Sequence, residues 1–247
     1  MPAAEVDQPL RVSAPASLLP LARRIADAYE TRYARKVDVI VRGSRDGVVD
    51  LRAGRLDVAL ADSPAASDDG LQQTTIAYAP LALVADPNAG VTSVTLADAR
   101  AIIEGTIRSW RAAGGADIPV ARFDRPSGSA ADRVLSVALR LNPKRSRGDV
   151  DDTSSSIVAD VRATRGAIGL VVLPYAGDLS GVRVLSIDGR APDAAGVRAG
   201  YPLLGAELAV TVGTPTLGIS RFVAFLRSAT DAWRAGALIP TRDLPGR

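Results

Sequence analysis

Short runs of apolar, largely β-branched residues alternate along this chain with stretches whose apolar residues recur at helical spacing. That alternation constrains the fold more than any other feature. A short apolar run bounded by turn residues is stable when buried in a sheet. A helical stretch between two such runs returns the chain across the sheet's face, so the pattern predicts an α/β fold. Leu10 to Ser13, Val37 to Val41 and Leu56 to Ala61 read as strands. Between them Ser17 opens a helix with Leu18, Leu21, Ile25 and Tyr29 on one face. Gly43-Ser44 then turns into a short helix carrying Val48 and Leu51, which Gly54 ends. A longer run, Ile76 to Ala85, reads as a strand that passes between lobes, and Leu203 to Val212 reads as a second long strand.

The middle of the chain repeats the pattern with clear helix signals. Thr95 caps a helix with Asp98 three residues on, the pairing of a capping box, and Gly105 ends it. Ile118 to Phe123 is a predicted strand, Asp124 to Gly128 a loop, and Ser129 caps the next helix with Asp132 three residues on. Residues 142–156, rich in charge, Ser and Asp, read as a surface loop. A helix follows over Ile157 to Thr164, then strands at Ala167 to Leu173 and Val182 to Ile187, and a last helix from about Ile219. No internal repeat or low-complexity segment interrupts the 247 residues.

Composition removes several function classes. The chain has no Cys and no His. Nucleophilic centres that need a Ser-His or Cys-His pair are impossible, as are zinc sites built from thiolate or imidazole. No catalytic residue, metal ligand or cofactor is expected. The net charge of +3 comes from 30 basic and 27 acidic side chains, and all the basic ones except Lys36 and Lys144 are Arg. These charges are interspersed, and aromatics make up only 4%, which does not fit a nucleic-acid stripe with stacking platforms. No run reaches the ~18 apolar residues of a membrane-spanning helix. Met1-Pro2-Ala3-Ala4-Glu5 has no basic segment leading into an apolar one, so no export signal is expected in this chain.

Three serines share one context: Ser17, Ser44 and Ser129 each follow a predicted strand and open a predicted helix. A helix N-terminus offers unpaired N–H groups and the positive end of the dipole, a ready anion site. Each serine alone is better read as a favoured N-cap, and the anion reading gains only from the three together and from their neighbours. Arg125, in Arg125-Pro126-Ser127-Gly128-Ser129, stands directly before one of these helices, where a guanidinium could hold an oxyanion through two parallel bonds. Asp62 closes the strand Asp57 to Ala61 and reads either as a turn residue before Ser63-Pro64 or as an acceptor for a proton carried by the anion. Asp68-Asp69 and Asp149, Asp151 and Asp152 lack the spacing of a calcium loop and read as solvated loop charge.

Taken in order, these segments resemble the phosphate-binding proteins of ABC transporters. Ser13-Ala14-Pro15-Ala16-Ser17 is similar to the family's first strand–helix turn, Gly43-Ser44-x-x-Gly47 to its second Gly-Ser loop, and Leu56 to Asp62 to the strand ending in its phosphate-binding Asp. Gly105 to Trp110 resembles its Gly-x-Ile-x-x-Trp turn. Arg125-x-x-Gly128-Ser129 resembles its Arg-x-x-Gly-Ser-Gly-Thr signature, with Ala130-Ala131 in place of Gly-Thr. Gly166 to Gly169 and Tyr201 to Leu203 match later landmarks. The resemblance implies a type II periplasmic-binding-protein fold: two α/β lobes joined by two crossover strands. Lobe 1 would be residues 1–83 and 205–247, and lobe 2 residues 84–204, with the ligand cleft between them. It implies a monomeric extracytoplasmic receptor, its leader already removed, that hands inorganic phosphate to a membrane permease. Sulfate or molybdate as ligand, or a sensor rather than a transport role, are the alternatives. The implied phosphate-binding residues are Ser17, Ser44, Asp62, Arg125, Ser129, Ala130 and Ala131. Arg45 stands where the family usually has a small residue.

Overall fold

The structure, a computed structural model, describes residues 8–64 and 70–244. In chain order the strands are β1 (Leu10–Ala14), β2 (Val37–Val41), β3 (Val58–Ala61), β4 (Leu71–Ala85), β5 (Ser93–Val94), β6 (Ala121–Asp124), β7 (Asp149–Val150), β8 (Ala167–Val172), β9 (Arg183–Val184), β10 (Ser186–Ile187), β11 (Leu204–Val212) and β12 (Ile239–Pro240). The α-helices are α1 (Leu19–Tyr33), α2 (Ser44–Arg52), α3 (Leu96–Glu104), α4 (Ala130–Ala138), α5 (Ser154–Ala163), α6 (Ala194–Arg198), α7 (Leu217–Ser228) and α8 (Thr230–Ala235). This is the expected α/β architecture. The chain divides into two compact units, Met1–Tyr78 with Ala206–Arg247, and Ala79–Gly205. It passes from one to the other within β4 and again near the start of β11.

In the first unit β1 lies between β2 and β3, parallel to both, in registers that pair Ala14 with Val41 and Ser13 with Ala59. β11 runs antiparallel to β3, opposing Leu208 to Ala61 and Val210 to Ala59. Because β1, β2 and β3 point the same way, the loops that leave them emerge at one edge of the sheet. These loops carry Ser17, Ser44 and Asp62. The carboxyl edge of a parallel sheet is where open α/β folds bind ligands. Leu51, Leu56, Ala59, Ala61, Leu208 and Val210 form one buried cluster. On α1 the residues Leu21, Ala22, Ile25, Ala26 and Tyr29 recur at helical spacing and are buried. Tyr29 packs edge-on against Phe222 and Phe225 of α7, with ring centroids 5.0 and 5.3 Å apart.

In the second unit β8 is antiparallel to β4, from Leu81 opposite Val172 to Ala85 opposite Ile168. β6 pairs parallel with both β8 and the short β7. α5 covers this sheet through Ile157, Val158 and Val161, which pack on Ala82, Val84, Ala167 and Val171. Gly169 on β8 leaves room for Ile157, whose methyl group a Cβ would strike. Tyr201 is fully buried, its hydroxyl donates to Leu81 O at 2.9 Å, and burial pushes its pKa up.

β2 has the expected bounds and α2 starts at Ser44, but other segments differ: β3 starts at Val58, β4 already at Leu71, and the strand expected over Val182 to Ile187 is two short ones, β9 and β10. α1 starts at Leu19, not at Ser17. Leu18 N and Leu19 N both donate to Pro15 O at 3.0 Å, so a turn intervenes before the helix. Pro20 sits in the first helical turn, where its missing N–H costs nothing. The strand expected from Ile118 begins only at Ala121. Pro119 has no N–H to give to a ladder, and Ile118 O instead accepts from Trp110 N at 3.0 Å. Residues 142–156 are not a simple surface loop: they contain β7 and the start of α5, capped by Thr153.

Gly166 locks the turn into β8. Its N–H donates to Asp86 Oδ2 at 2.7 Å, and its carbonyl accepts from the buried Trp110 indole at 2.8 Å. Its φ is 74°, and a Cβ there would fall on Pro119 O. A side chain in this left-handed conformation costs about 1–2 kcal/mol before any overlap. Gly166→Ala is therefore expected to destabilise the protein by at least about 2 kcal/mol in urea unfolding. A loss below about 0.5 kcal/mol would show that the turn relaxes freely.

Candidate functional site

Each unit carries its own group of polar residues at the carboxyl end of its strands. In the first unit α2 begins at Ser44, with Gly43 as the N-cap residue in extended backbone. Ser44 Oγ donates to Asp62 Oδ1 at 2.7 Å and accepts from Asp62 N at 3.1 Å, so serine and aspartate form a closed pair joining the loops after β2 and β3. The pair is half-buried, and its second carboxylate oxygen is not used in it. Gly47 keeps α2 close to β1: a Cβ there would come within 2.7 Å of Ser13 Oγ, a buried hydroxyl with no partner among the described residues. Ser17 lies exposed in the turn after β1 and does not cap α1, whose N-cap residue is Leu18. The structure thus joins Ser44 to Asp62. Arg45 is exposed at the start of α2.

The second unit places Arg125 directly after β6. Its Nε and Nη1 atoms are buried and have no hydrogen-bond partner among the described residues. Burial pushes the guanidinium pKa down by disfavouring its charge, and the negative charges of Asp151 and Asp152 work against that. Three residues on, Gly128 takes φ 75°, which turns the chain into α4. Ser129 is the N-cap of α4 as expected, its hydroxyl accepting from Asp132 N at 3.2 Å. Asp132 does not complete the box on Ser129 N. Its Oδ2 instead accepts from Gly128 N at 2.9 Å, which fixes the loop one residue earlier. Ala130 and Ala131 occupy the first two helical positions, where backbone N–H groups lie outside the helix's own bonding ladder.

Local patterning does not reveal what lies behind this loop. Arg145 Nη1 meets Asp124 Oδ1 at 2.8 Å with both side chains only 4% exposed, and its Nη2 reaches Asp132 Oδ1 at 3.4 Å. Arg147 Nη2 lies 2.9 and 3.1 Å from the two oxygens of Asp132. Gly148 N donates to Asp124 Oδ2 at 2.6 Å. The charge-rich stretch expected to be solvated therefore contains a buried ion-pair network. Its partners lie 13 to 24 residues away in the chain, a separation that local patterning does not report. Asp151 is also engaged, its N–H donating to Asp124 O at 3.0 Å. Asp68 and Asp69 lie outside the described residues. Among the described residues no cluster of three or more acidic side chains is placed to hold a metal ion.

A buried guanidinium edge with nothing to bond and the N-terminus of a capped helix together suit an oxyanion. A serine–carboxylate pair suits an anion that still carries a proton. The comparisons point the same way. A model of the PBP superfamily domain matches residues 2–228. The chain is 27% identical over 227 residues to the phosphate-binding protein PstS of Bacillus subtilis, covering 89% of this chain and 75% of that one. Its fold is similar to the structure of a putative phosphate ABC transporter substrate-binding protein with bound phosphate from Clostridium perfringens. There the TM-score is 0.78 and the identity 23%, covering 94% of this chain and 99% of that one. It is also similar to an ABC-type phosphate transport receptor from Vibrio cholerae, with TM-score 0.75 and 21% identity over 93% and 99% of the two chains.

Removing one member of a buried ion pair leaves the other charge unpaired, at a cost of roughly 3–5 kcal/mol. Arg145→Met should lose stability in that range in urea unfolding. Arg111→Met, at an exposed pair with Asp117, should lose less than about 1 kcal/mol. Equal losses would mean that the Arg145 pair is not buried in solution.

Proposed function

We propose, from the premise that this chain belongs to the PBP superfamily, that it is an extracytoplasmic receptor that captures inorganic phosphate and delivers it to the membrane permease of an ABC importer. The observation that carries this reading is Arg125. Its buried Nε and Nη1 have no partner among the described residues, and it stands in the loop that resembles the phosphate signature. In our reading the phosphate-binding residues are Arg125, Ser129 and the N–H groups of Ala130 and Ala131, together with Ser17, Ser44 and Asp62. The PstS name of the relatives supports phosphate over other oxyanions. Among the described residues no helix is long and apolar enough to cross a membrane, so contact with a permease would be made by docking.

Asp62 gives the site a way to choose. Phosphate at neutral pH keeps at least one proton and sulfate keeps none. A carboxylate already bonded to Ser44 through one oxygen can accept that proton on the other, whereas toward sulfate it presents a lone pair to a lone pair. Sites built to pair with a ligand hydroxyl reject analogues lacking it by a factor on the order of 10⁴.

Calorimetry on protein freed of ligand by partial unfolding tests both points. Phosphate should bind one to one. Arg125→Ala should cost roughly 2–5 kcal/mol of binding free energy, and exposed Arg45→Ala much less. If Arg45→Ala is the more damaging change, the assignment of Arg125 is wrong. In competition, the wild type should strongly prefer phosphate to sulfate, and Asp62→Asn should narrow that preference, since an amide can donate to either anion. Equal selectivity in the two proteins would remove Asp62 from the mechanism.

A further inference from the structure

We infer that Arg147 is a positioning residue for the anion site: it holds the Arg125–Ser129 loop in its binding shape without touching the ligand. This rests on the phosphate reading for its ligand, but its geometry stands independently. Arg147 Nη1 donates to Arg125 O at 2.9 Å, a direct bond to the backbone of the residue assigned to the anion. Its Nη2 spans both oxygens of Asp132 at 2.9 and 3.1 Å. Asp132 in turn accepts from Gly128 N at 2.9 Å and gives its own N–H to Ser129 Oγ at 3.2 Å. One guanidinium thus bridges the first residue of the loop and the carboxylate that fixes Gly128, on a residue whose own N–H bonds Ser129.

The segment carrying Arg147 is itself anchored. Asn142 N donates to Glu104 Oε1 at 2.8 Å, and Arg122 Nη1 donates to Ser146 O at 2.9 Å. Gly148 N donates to Asp124 Oδ2 at 2.6 Å, and a Cβ on Gly148 would fall on Arg122 O. A guanidinium presented from a fixed segment loses little freedom on bonding, and its planar fork suits a carboxylate and a carbonyl together. Arg125 needs such support, because its buried Nε and Nη1 find no partner among the described residues that would orient them. The 2.9 Å bond to its carbonyl fixes the backbone from which the side chain projects. Sites depend on this kind of second layer of contacts to hold binding groups in place.

The side chain of Arg147 is 28% exposed, and without it Asp132 keeps both Arg145 and Gly128 N, so its replacement should leave the fold intact. The test compares wild type, Arg147→Met, Arg147→Lys and, as a control for charge, Arg111→Met, whose guanidinium lies at an exposed pair. Inorganic phosphate is titrated by calorimetry, and amide hydrogen exchange is followed in ligand-free protein. Arg147→Met should weaken phosphate binding about tenfold or more, by analogy with the loss when a residue supporting a ligand shell is removed. The Gly128 and Ser129 amides should exchange faster, with Leu170 and Val171 in β8 unchanged. Arg147→Lys, which keeps the charge but not the fork, should recover only part of the affinity, and Arg111→Met should match wild type. Unchanged affinity in Arg147→Met would overturn the inference. So would unchanged Gly128 exchange, or full recovery by Arg147→Lys, which would assign the effect to charge alone. If the wild type itself binds no phosphate, the functional reading fails. The exchange data would still decide whether Arg147 holds the loop.

Discussion

A guanidinium taken out of water must be given new partners or it destabilises the fold that buries it. At Arg125 the described residues supply none for Nε and Nη1, and the charges of Asp151 and Asp152 act on it through space. A buried cation left in that state is costly, because an unmet donor carries its full desolvation penalty. The other features of the second unit's site follow from this tension. The loop that presents Arg125 is short, turned by Gly128 at positive φ, and ends on a capped helix whose first N–H groups also favour an anion. Two buried guanidinium nitrogens in that state suit a ligand with negative oxygens.

Such a site requires that the loop not relax. Asp124, Asp132, Arg145 and Arg147 supply that rigidity by placing two buried carboxylates under the loop and two cations from a distant segment against them. Buried ion pairs are weak evidence for stability as such, because their desolvation offsets most of their attraction. They are better evidence for specificity of conformation, and here the conformation held is that of the loop itself. The first unit holds its own loops differently. Parallel β1, β2 and β3 bring their exits to one sheet edge, and a single reciprocal serine–aspartate pair fixes two of the loops.

Local chemistry made much of this legible before any coordinates. The α/β alternation gave the sheet, and the bounds of β2 needed no correction. The Thr95–Asp98 and Ser129–Asp132 spacings marked two helix starts that the structure keeps. The errors came where a longer-range bond decided the outcome. Ser17 looked like a cap because a helical pattern followed it, but two amides turn back to Pro15 O and push the start of α1 to Leu19. Residues 142–156 looked solvated because charge and Ser usually are. The carboxylates that bury Arg145 stand on β6 and α4, and nothing in the local sequence names them. The Ser44–Asp62 bond was likewise out of reach: each residue was singled out alone, and only the parallel register of the strands brings them together.

The central claim is that the buried edge of Arg125 takes up the anion. Side-chain ¹⁵N NMR of the arginine Nε–H groups reads that edge directly. On titration with phosphate, the Arg125 Nε–H signal, identified by its loss in Arg125→Lys, should shift downfield. It should also become protected from exchange with water, reaching completion at one equivalent. Phosphate binding that leaves the Arg125 signal in place and exchanging as before would contradict the account, whatever its affinity.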